Sequence, residues 1–379
     1  MAVAIGVIVA NLYYLQPLLH QVRGDFKIST VQTSALVTLI QVGYASGLAL
    51  VVPLGDIIAR RRLITAIFAT AAVAMLIASF VHSYAFFAVF TLLIGLSSVG
   101  GQVLIPFAAD LSSPDARGKT VARLMSGLLL GILLSRTFAG VLASSVGWRG
   151  VYQIAAGALV VMAGALWYNL PSEPARPHVA YHQLVKSSFA LLGEFSDLRR
   201  RAWFGAVAFG AFSIVWSTLA FHLSQAPFDY SNIKIGLFGL LGVGGVLAAN
   251  VAGKHADLNR HGISTQLASL CIVLAFVCFW LGARIVWMII LGVFFLDVGV
   301  QGMQITNQSI IYSLDPQKRS RLNSAYMVMY FSGGATGSLL AGVVYNKSGW
   351  TGVNVLGLIF AALLLVPSFF IGDKQHHAA

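Results

Sequence analysis

The chain has 379 residues, 58% of them hydrophobic and only 9% charged, with a formal net charge of +12 and a mean hydropathy of +0.82. Soluble domains carry roughly a quarter charged residues, so this composition excludes a water-soluble globular protein. A membrane-spanning helix needs roughly 20 mostly apolar residues. Twelve segments have that character: 1–19, 30–54, 63–81, 84–108, 120–143, 149–170, 202–225, 232–252, 263–281, 284–308, 322–345 and 351–372. Each helix with its loop then takes about 32 residues of the 379, which leaves no room for a soluble domain. The 38 glycines are plentiful inside these segments, as expected where membrane helices pack closely through small residues.

The first segment, "MAVAIGVIVANLYYLQPLL", lacks the positive n-region and small-residue cleavage site of a signal peptide. Its polar group of Asn11, Tyr13, Tyr14 and Gln16 suits a bundle helix. The sequence opens inside this helix, and a short cytoplasmic tail is expected ahead of it. After the second segment comes "PLGDIIARRRLITA" (53–66), which sets Asp56 and Arg60, Arg61 and Arg62 between two uncharged runs. If the first helix starts in the cytoplasm, 17 of the 24 basic residues fall on the cytoplasmic side and six on the other, with Arg136 alone inside a helix. That asymmetry is the positive-inside pattern. It places both termini in the cytoplasm and explains the basic charge by membrane orientation rather than by nucleic acid.

Residues 171–201 join the two halves. Their opening "PSEPARPH" cannot be a membrane helix because of its prolines. In "YHQLVKSSFALLGEFSDLRRR", Leu184, Phe189, Leu192, Phe195 and Leu198 recur at nearly helical spacing among charges. An amphipathic helix on the cytoplasmic surface and a disordered tether are both open readings. Cys271 and Cys278 lie seven residues apart on one predicted helix, about 10 Å along its axis and too far for a disulfide; they read as packing residues.

The chain repeats itself. "GVLASSVGWRGV" (140–151) matches "GVVYNKSGWTGV" (342–353) at an offset of 202, Gln102 falls on Gln304 at the same offset, and Asp56 falls on Asp257 at 201. The expected organisation is therefore an N-terminal six-helix half (1–170), a cytoplasmic linker (171–201) and a C-terminal six-helix half (202–379). Two such halves with substrate held between them is one of the few architectures that explain the pattern.

The loop "GKHADLNRHG" (253–262), with Gly253, Asp257, Arg260 and His261, resembles the signature loop of the major facilitator superfamily. Asp56, Arg60 and Arg61 match it in the first half, while Val52 and Ala59 stand where that pattern has glycine. "GLLLGILLSRTFAG" (127–140) resembles the fifth-helix motif of the superfamily's exporters. Ser135 and Arg136 replace the usual glycine-proline, and Thr91 stands nearest to the fourth-helix arginine of drug/proton antiporters. "ANLYYLQPLL" and "NQSIIYSLDPQKRSRLNSAYM" resemble the arabinose-efflux-permease-like branch. The resemblance implies an all-α polytopic fold of twelve helices around a central cavity and secondary active transport. The function expected is proton-coupled efflux of a small amphipathic solute (drug, sugar or metabolite). Uptake of a small metabolite, or a non-transporting membrane sensor or enzyme, are the alternatives. It implies a cytoplasmic latch of Asp56, Arg60, Arg61, Asp110, Gly253, Asp257 and Arg260.

Two charges lie inside the predicted hydrocarbon region, Arg136 and Asp297. Each is costly there unless paired or hydrated, so both are candidates for proton coupling, with Asp297 as carrier and Arg136 tuning it. Asp297, Gln301, Gln304 and Gln308 follow the i, i+4, i+7, i+11 spacing that lines one helix face. The fold resembled lines its cavity with helices 1, 4, 7 and 10, which makes Asn11, Tyr14, Gln16, Gln102, Trp216, Gln301 and Gln304 the candidate substrate contacts, with His222 a further candidate nearer the outer surface. No phosphate loop, metal-ligand spacing or nucleophile motif occurs, so no cofactor, metal or enzymatic activity is expected. The partners expected are protons, a small solute and the lipid bilayer of a bacterial inner membrane, the protein acting as a monomer.

Overall fold

The computed structural model describes residues 1–172, 181–242, 261–315 and 318–370, and among these every regular element is helical. In chain order they are α1 (Ala2–Phe26), α2 (Thr30–Asp56), α3 (Arg60–Phe80) and α4 (Tyr84–Asp110), then Gly118–Asn169, which divides at Gly147 into α5 (118–146) and α6 (148–169). The linker forms α7 (Tyr181–Glu194). There follow α8 (Ser196–Leu223), α9 (Asn232–Gly242), α10 (His261–Leu281) and α11 (Val286–Leu314), then Arg321–Ser368, which divides at Gly349 into α12 (321–348) and α13 (350–368). Nine stretches among the described residues are long and apolar enough to cross a membrane. Dividing two of them at their glycines gives eleven, and α9 begins the span expected over 232–252, in keeping with twelve. Phe86, Val160, Val161, Trp287 and Val366 are each more than half exposed, an apolar surface that lipid, not water, suits.

By compactness the chain divides into one unit of Met1–Phe189 with Tyr230–Gly239 and a second of Ala190–Asp229 with Leu240–Ala379. In the first, α2 starts on a reciprocal cap: Ser29 Oγ accepts from the Gln32 N–H (3.2 Å) and Gln32 Oε1 accepts from the Ser29 N–H (3.0 Å). It ends at Pro53, where the ladder tightens into a 3-10 turn, Val52–Asp56. The Tyr181 hydroxyl of α7 donates to the Leu50 carbonyl just before that turn (2.7 Å). Helices α1 and α5 approach at Gly6 and Gly131, where a Cβ on either would collide with backbone. In the second unit α8 and α12 use the same device, Gly337 against Gly210.

The turn from α5 to α6 explains the first Gly-Trp pair. Gly147 has φ 69° and ψ 173°, a region essentially closed to residues with a Cβ. Behind it Asp25 Oδ2 accepts from Trp148 Nε1 (3.0 Å) and Arg149 Nη2 (2.9 Å). Arg149 Nη1 donates to the Ser79 and Val81 carbonyls at the end of α3 (2.8 Å each). Phe26, Phe87, Trp148 and Tyr152 pack ring to ring beneath this clasp. The second pair repeats the turn, with φ 57° at Gly349, but Trp350 Nε1 donates to the Phe279 carbonyl (3.2 Å) instead of a carboxylate. Gly147→Ala is expected to destabilise the protein by about 1–3 kcal/mol, read as a lower melting temperature in detergent; an unchanged melting temperature would contradict the strain assigned to this turn.

Candidate functional site

The first unit's buried polar group starts from a proline. Pro17 has no N–H to donate to the Tyr13 carbonyl, and the ladder of α1 lapses just before it. Tyr13 N–H reaches the Ala10 carbonyl (2.9 Å) and Gln16 N–H the Tyr13 carbonyl (3.2 Å), both one residue short of helical spacing. The turn so formed carries Asn11, Tyr13 and Tyr14. The close Gly6–Gly131 approach sets α1 against α5, and a few residues further along Gln16 meets Arg136: Arg136 Nε donates to Gln16 Oε1 at 2.7 Å. The guanidinium lies 4.7 Å from the Tyr13 ring centroid, close enough for a cation–π contact. Arg136 and Asn11 are each 2% exposed. Neither amide atom of Asn11 has a hydrogen-bond partner among the described residues. Tyr14 is buried, its ring 6.3 Å from that of Phe138. Gln102, on the second part of α4, donates through Nε2 to the Tyr44 hydroxyl of α2 (3.3 Å).

In the second unit Asp297 sits in the middle of α11 and is 5% exposed. A charge at such a depth costs about 2.5–3.5 kcal/mol or more unless paired or hydrated. Gln301 is half-buried one turn on. Farther along the same face, Gln304 Oε1 accepts from the Tyr326 hydroxyl (2.6 Å) and Gln308 Nε2 donates to Asn323 Oδ1 (3.3 Å). The lower part of the polar stripe therefore ties α11 to α12. Trp216 ends the first part of α8, before a break at Ser217 and Thr218. His222 stacks flat on Trp350 with centroids 4.2 Å apart. Sequence reasoning missed Tyr326 and Asn307, whose amide donates to the Tyr326 hydroxyl (3.4 Å); Asn307 lies beside the glutamine stripe, and that adjacency was the available signal.

Of the expected latch, Arg60 and Asp110 meet at 2.6 Å, joining the start of α3 to the end of α4. The Arg60 guanidinium lies 5.6 Å from the Phe107 ring and that of Arg61 4.5 Å from Trp167. Asp56 is exposed at the end of the 3-10 turn. Gly253, Asp257 and Arg260 lie outside the described residues. In the second unit Lys318 Nζ bonds Glu194 Oε1 (2.7 Å) and faces Asp315 Oδ2 (3.6 Å). The Glu194 hydrogen bond, with help from Asp315, raises the lysine's pKa above its ordinary value. On the lysine's side, this tie is present at neutral pH and is lost as pH rises through the lysine's raised pKa.

Among the described residues no three His, Cys, Asp or Glu side chains are grouped to hold a metal. The sequence profile of the Major Facilitator Superfamily matches residues 1–337. The uncharacterized transporter YgaY of Escherichia coli O157:H7 is 44% identical, over 97% of this chain and 93% of its own. The inner membrane transport protein YnfM of Escherichia coli K12 is 24% identical, over 97% and 87%. The structure of a bacterial homologue of the human lysosomal transporter Spinster, inward-facing and occupied, superposes with a TM-score of 0.77 at 12% identity, covering 100% of this chain and 97% of that one. The chain belongs to the Major Facilitator Superfamily. It is a multi-pass membrane transporter of the secondary class, not an enzyme.

Proposed function

We propose that this transporter couples the export of a small amphipathic solute to proton entry by alternating access. The observation that supports this reading is Asp297, a buried carboxylate in the middle of a membrane-spanning helix. A carboxylate in that position gains or loses its proton according to which side the surrounding water reaches it from, and that is what a proton carrier requires. Arg136 tunes it electrostatically. Asn11, Tyr14, Gln16, Gln102, Trp216, Gln301 and Gln304 contribute polar and aromatic substrate contacts. Asp56, Arg60, Arg61, Asp110, Gly253, Asp257 and Arg260 form the cytoplasmic latch, an element with two arrangements a few kcal/mol apart. Both termini and the linker face the cytoplasm of the inner membrane, on the strength of the basic-residue asymmetry. Reporter fusions after Arg149 and Lys234 should report the outer side; a cytoplasmic signal from either contradicts the orientation.

Import of a small metabolite would use the same parts. Growth of overexpressing and deleted strains on a panel of inhibitory solutes separates the two. Export predicts that overexpression lowers sensitivity to at least one compound and lowers its content in cells. Raised cellular content on overexpression would establish uptake instead.

A further inference from the structure

Tyr181 opens α7, the helix of the linker, and its side chain reaches the end of α2. We propose that Tyr181 is a positioning residue for transport: its hydroxyl fixes the turn that carries Asp56 and so sets how readily the cytoplasmic latch opens. The inference deepens the transport reading and rests on it for the latch, although the turn can be followed without any solute.

The sequence releases the group that this hydroxyl takes. Pro53 has no N–H, and the chain around it tightens. The Val51 N–H still reaches the Gly47 carbonyl at full helical spacing (2.7 Å), but the Leu54 N–H stops at the Val51 carbonyl (3.1 Å). The Leu50 carbonyl, which helical spacing would give to Leu54, is released at the end of a membrane-spanning helix. The Tyr181 hydroxyl donates to it at 2.7 Å, from 131 residues away in sequence. Carbonyls left over at a helix end are satisfied by side chains, by water or by a tighter last turn. Leu50 is 44% exposed and Tyr181 37%, so water is able to satisfy both groups. What the tyrosine adds is restraint, because it ties the base of the turn to another helix.

The turn above that base leads straight to the latch. The 3-10 stretch Val52–Asp56 is closed by the Ile57 and Ile58 N–H groups, which share the Leu54 carbonyl (3.0 and 2.8 Å). Within it Gly55 rests on Val103 of α4: a Cβ there would lie 3.5 Å from Val103 Cγ1, and Val103 is buried. Asp56 follows at once, and Arg60, at the start of α3, pairs with Asp110 at the end of α4 (2.6 Å). One hydrogen bond at the base therefore restrains a short, packed segment whose far end is the latch. A neutral hydrogen bond between exposed groups changes folding stability little, whereas the same energy shifts a two-state equilibrium several-fold. That scale fits a residue that positions rather than one that supports the fold.

The test uses the purified full chain in detergent, with Cys271 and Cys278 replaced by serine and Val103→Cys as the reporter. Two rates are read: hydrogen exchange of the amides of residues 51–58, and labelling of the cysteine by N-ethylmaleimide, which needs the turn to lift. Tyr181→Phe keeps the ring and removes the donor. It should speed both rates about threefold at an unchanged melting temperature. Placing p-aminophenylalanine at position 181, which restores a donor to the ring, should return both to those of the parent. Parental rates in Tyr181→Phe would overturn the proposal. So would a change that the amino variant does not reverse, since that assigns the effect to the packing of the ring. Asp56→Asn in the same background keeps the two readings apart. Altered labelling in Asp56→Asn with parental rates in Tyr181→Phe would sink this inference alone. Faster rates in Tyr181→Phe with parental labelling in Asp56→Asn would sink the latch role of Asp56 and leave the positioning of the turn standing.

Discussion

Asp297→Asn is expected to abolish accumulation of substrate against its gradient while leaving downhill exchange measurable. Asparagine keeps the volume and the hydrogen-bonding capacity of the buried carboxylate and removes only the exchangeable proton. Moving one charge through the full membrane field is worth about 2.3 kcal/mol per 100 mV, or about a fiftyfold concentration ratio at roughly 1.4 kcal/mol per decade. That ratio should fall to about one in the variant. A static role for Asp297, holding helices together, predicts instead a lower melting temperature with intact coupling.

The second large effect is expected at the cytoplasmic latch. Arg60 and Asp110 are paired at 2.6 Å, with the arginine side chain 13% exposed and the aspartate 55%. An ion pair with one exposed partner contributes about 1 kcal/mol or less to stability, so Asp110→Asn or Arg60→Gln should scarcely change the melting temperature. The same energy applied to a two-state equilibrium shifts populations several-fold. Both variants, and Asp56→Asn beside them, should slow turnover several-fold at near-normal expression and change the labelling rate of single cysteines at the cytoplasmic mouth. Unaltered rate and accessibility would leave Arg60, Arg61 and Arg62 with orientation of the helices as their only role.

The spans were legible because a helix must stay apolar for about 20 residues to cross a bilayer, and the repeat was legible because both halves turn at the same glycine. The 202-residue offset that matches the two Gly-Trp pairs corresponds to two positive-φ turns, at Gly147 and Gly349. Arg136 and Asp297 stood out for the same physical reason, their cost in hydrocarbon. What the sequence concealed was partnership. Nothing in a linear reading brings residue 25 to residue 149, and the structure closes Asp25 and Arg149 into a clasp with Trp148. Helical spacing placed Gln304 and Gln308 on one face but could not show the bonds these residues make to Tyr326 and Asn323 of α12. The break in α1 was hidden inside an apolar run, although Pro17 was its cause.

The account stands on proton movement through this protein, and lumenal pH in reconstituted vesicles measures it most directly. Proteoliposomes loaded with a pH-sensitive dye would be given a gradient of a solute that the growth panel identifies. The wild-type protein should change the lumenal pH in step with solute movement, at a fixed ratio, and Asp297→Asn should move solute down its gradient with the dye signal flat. Solute movement through the wild-type protein at constant lumenal pH would contradict it.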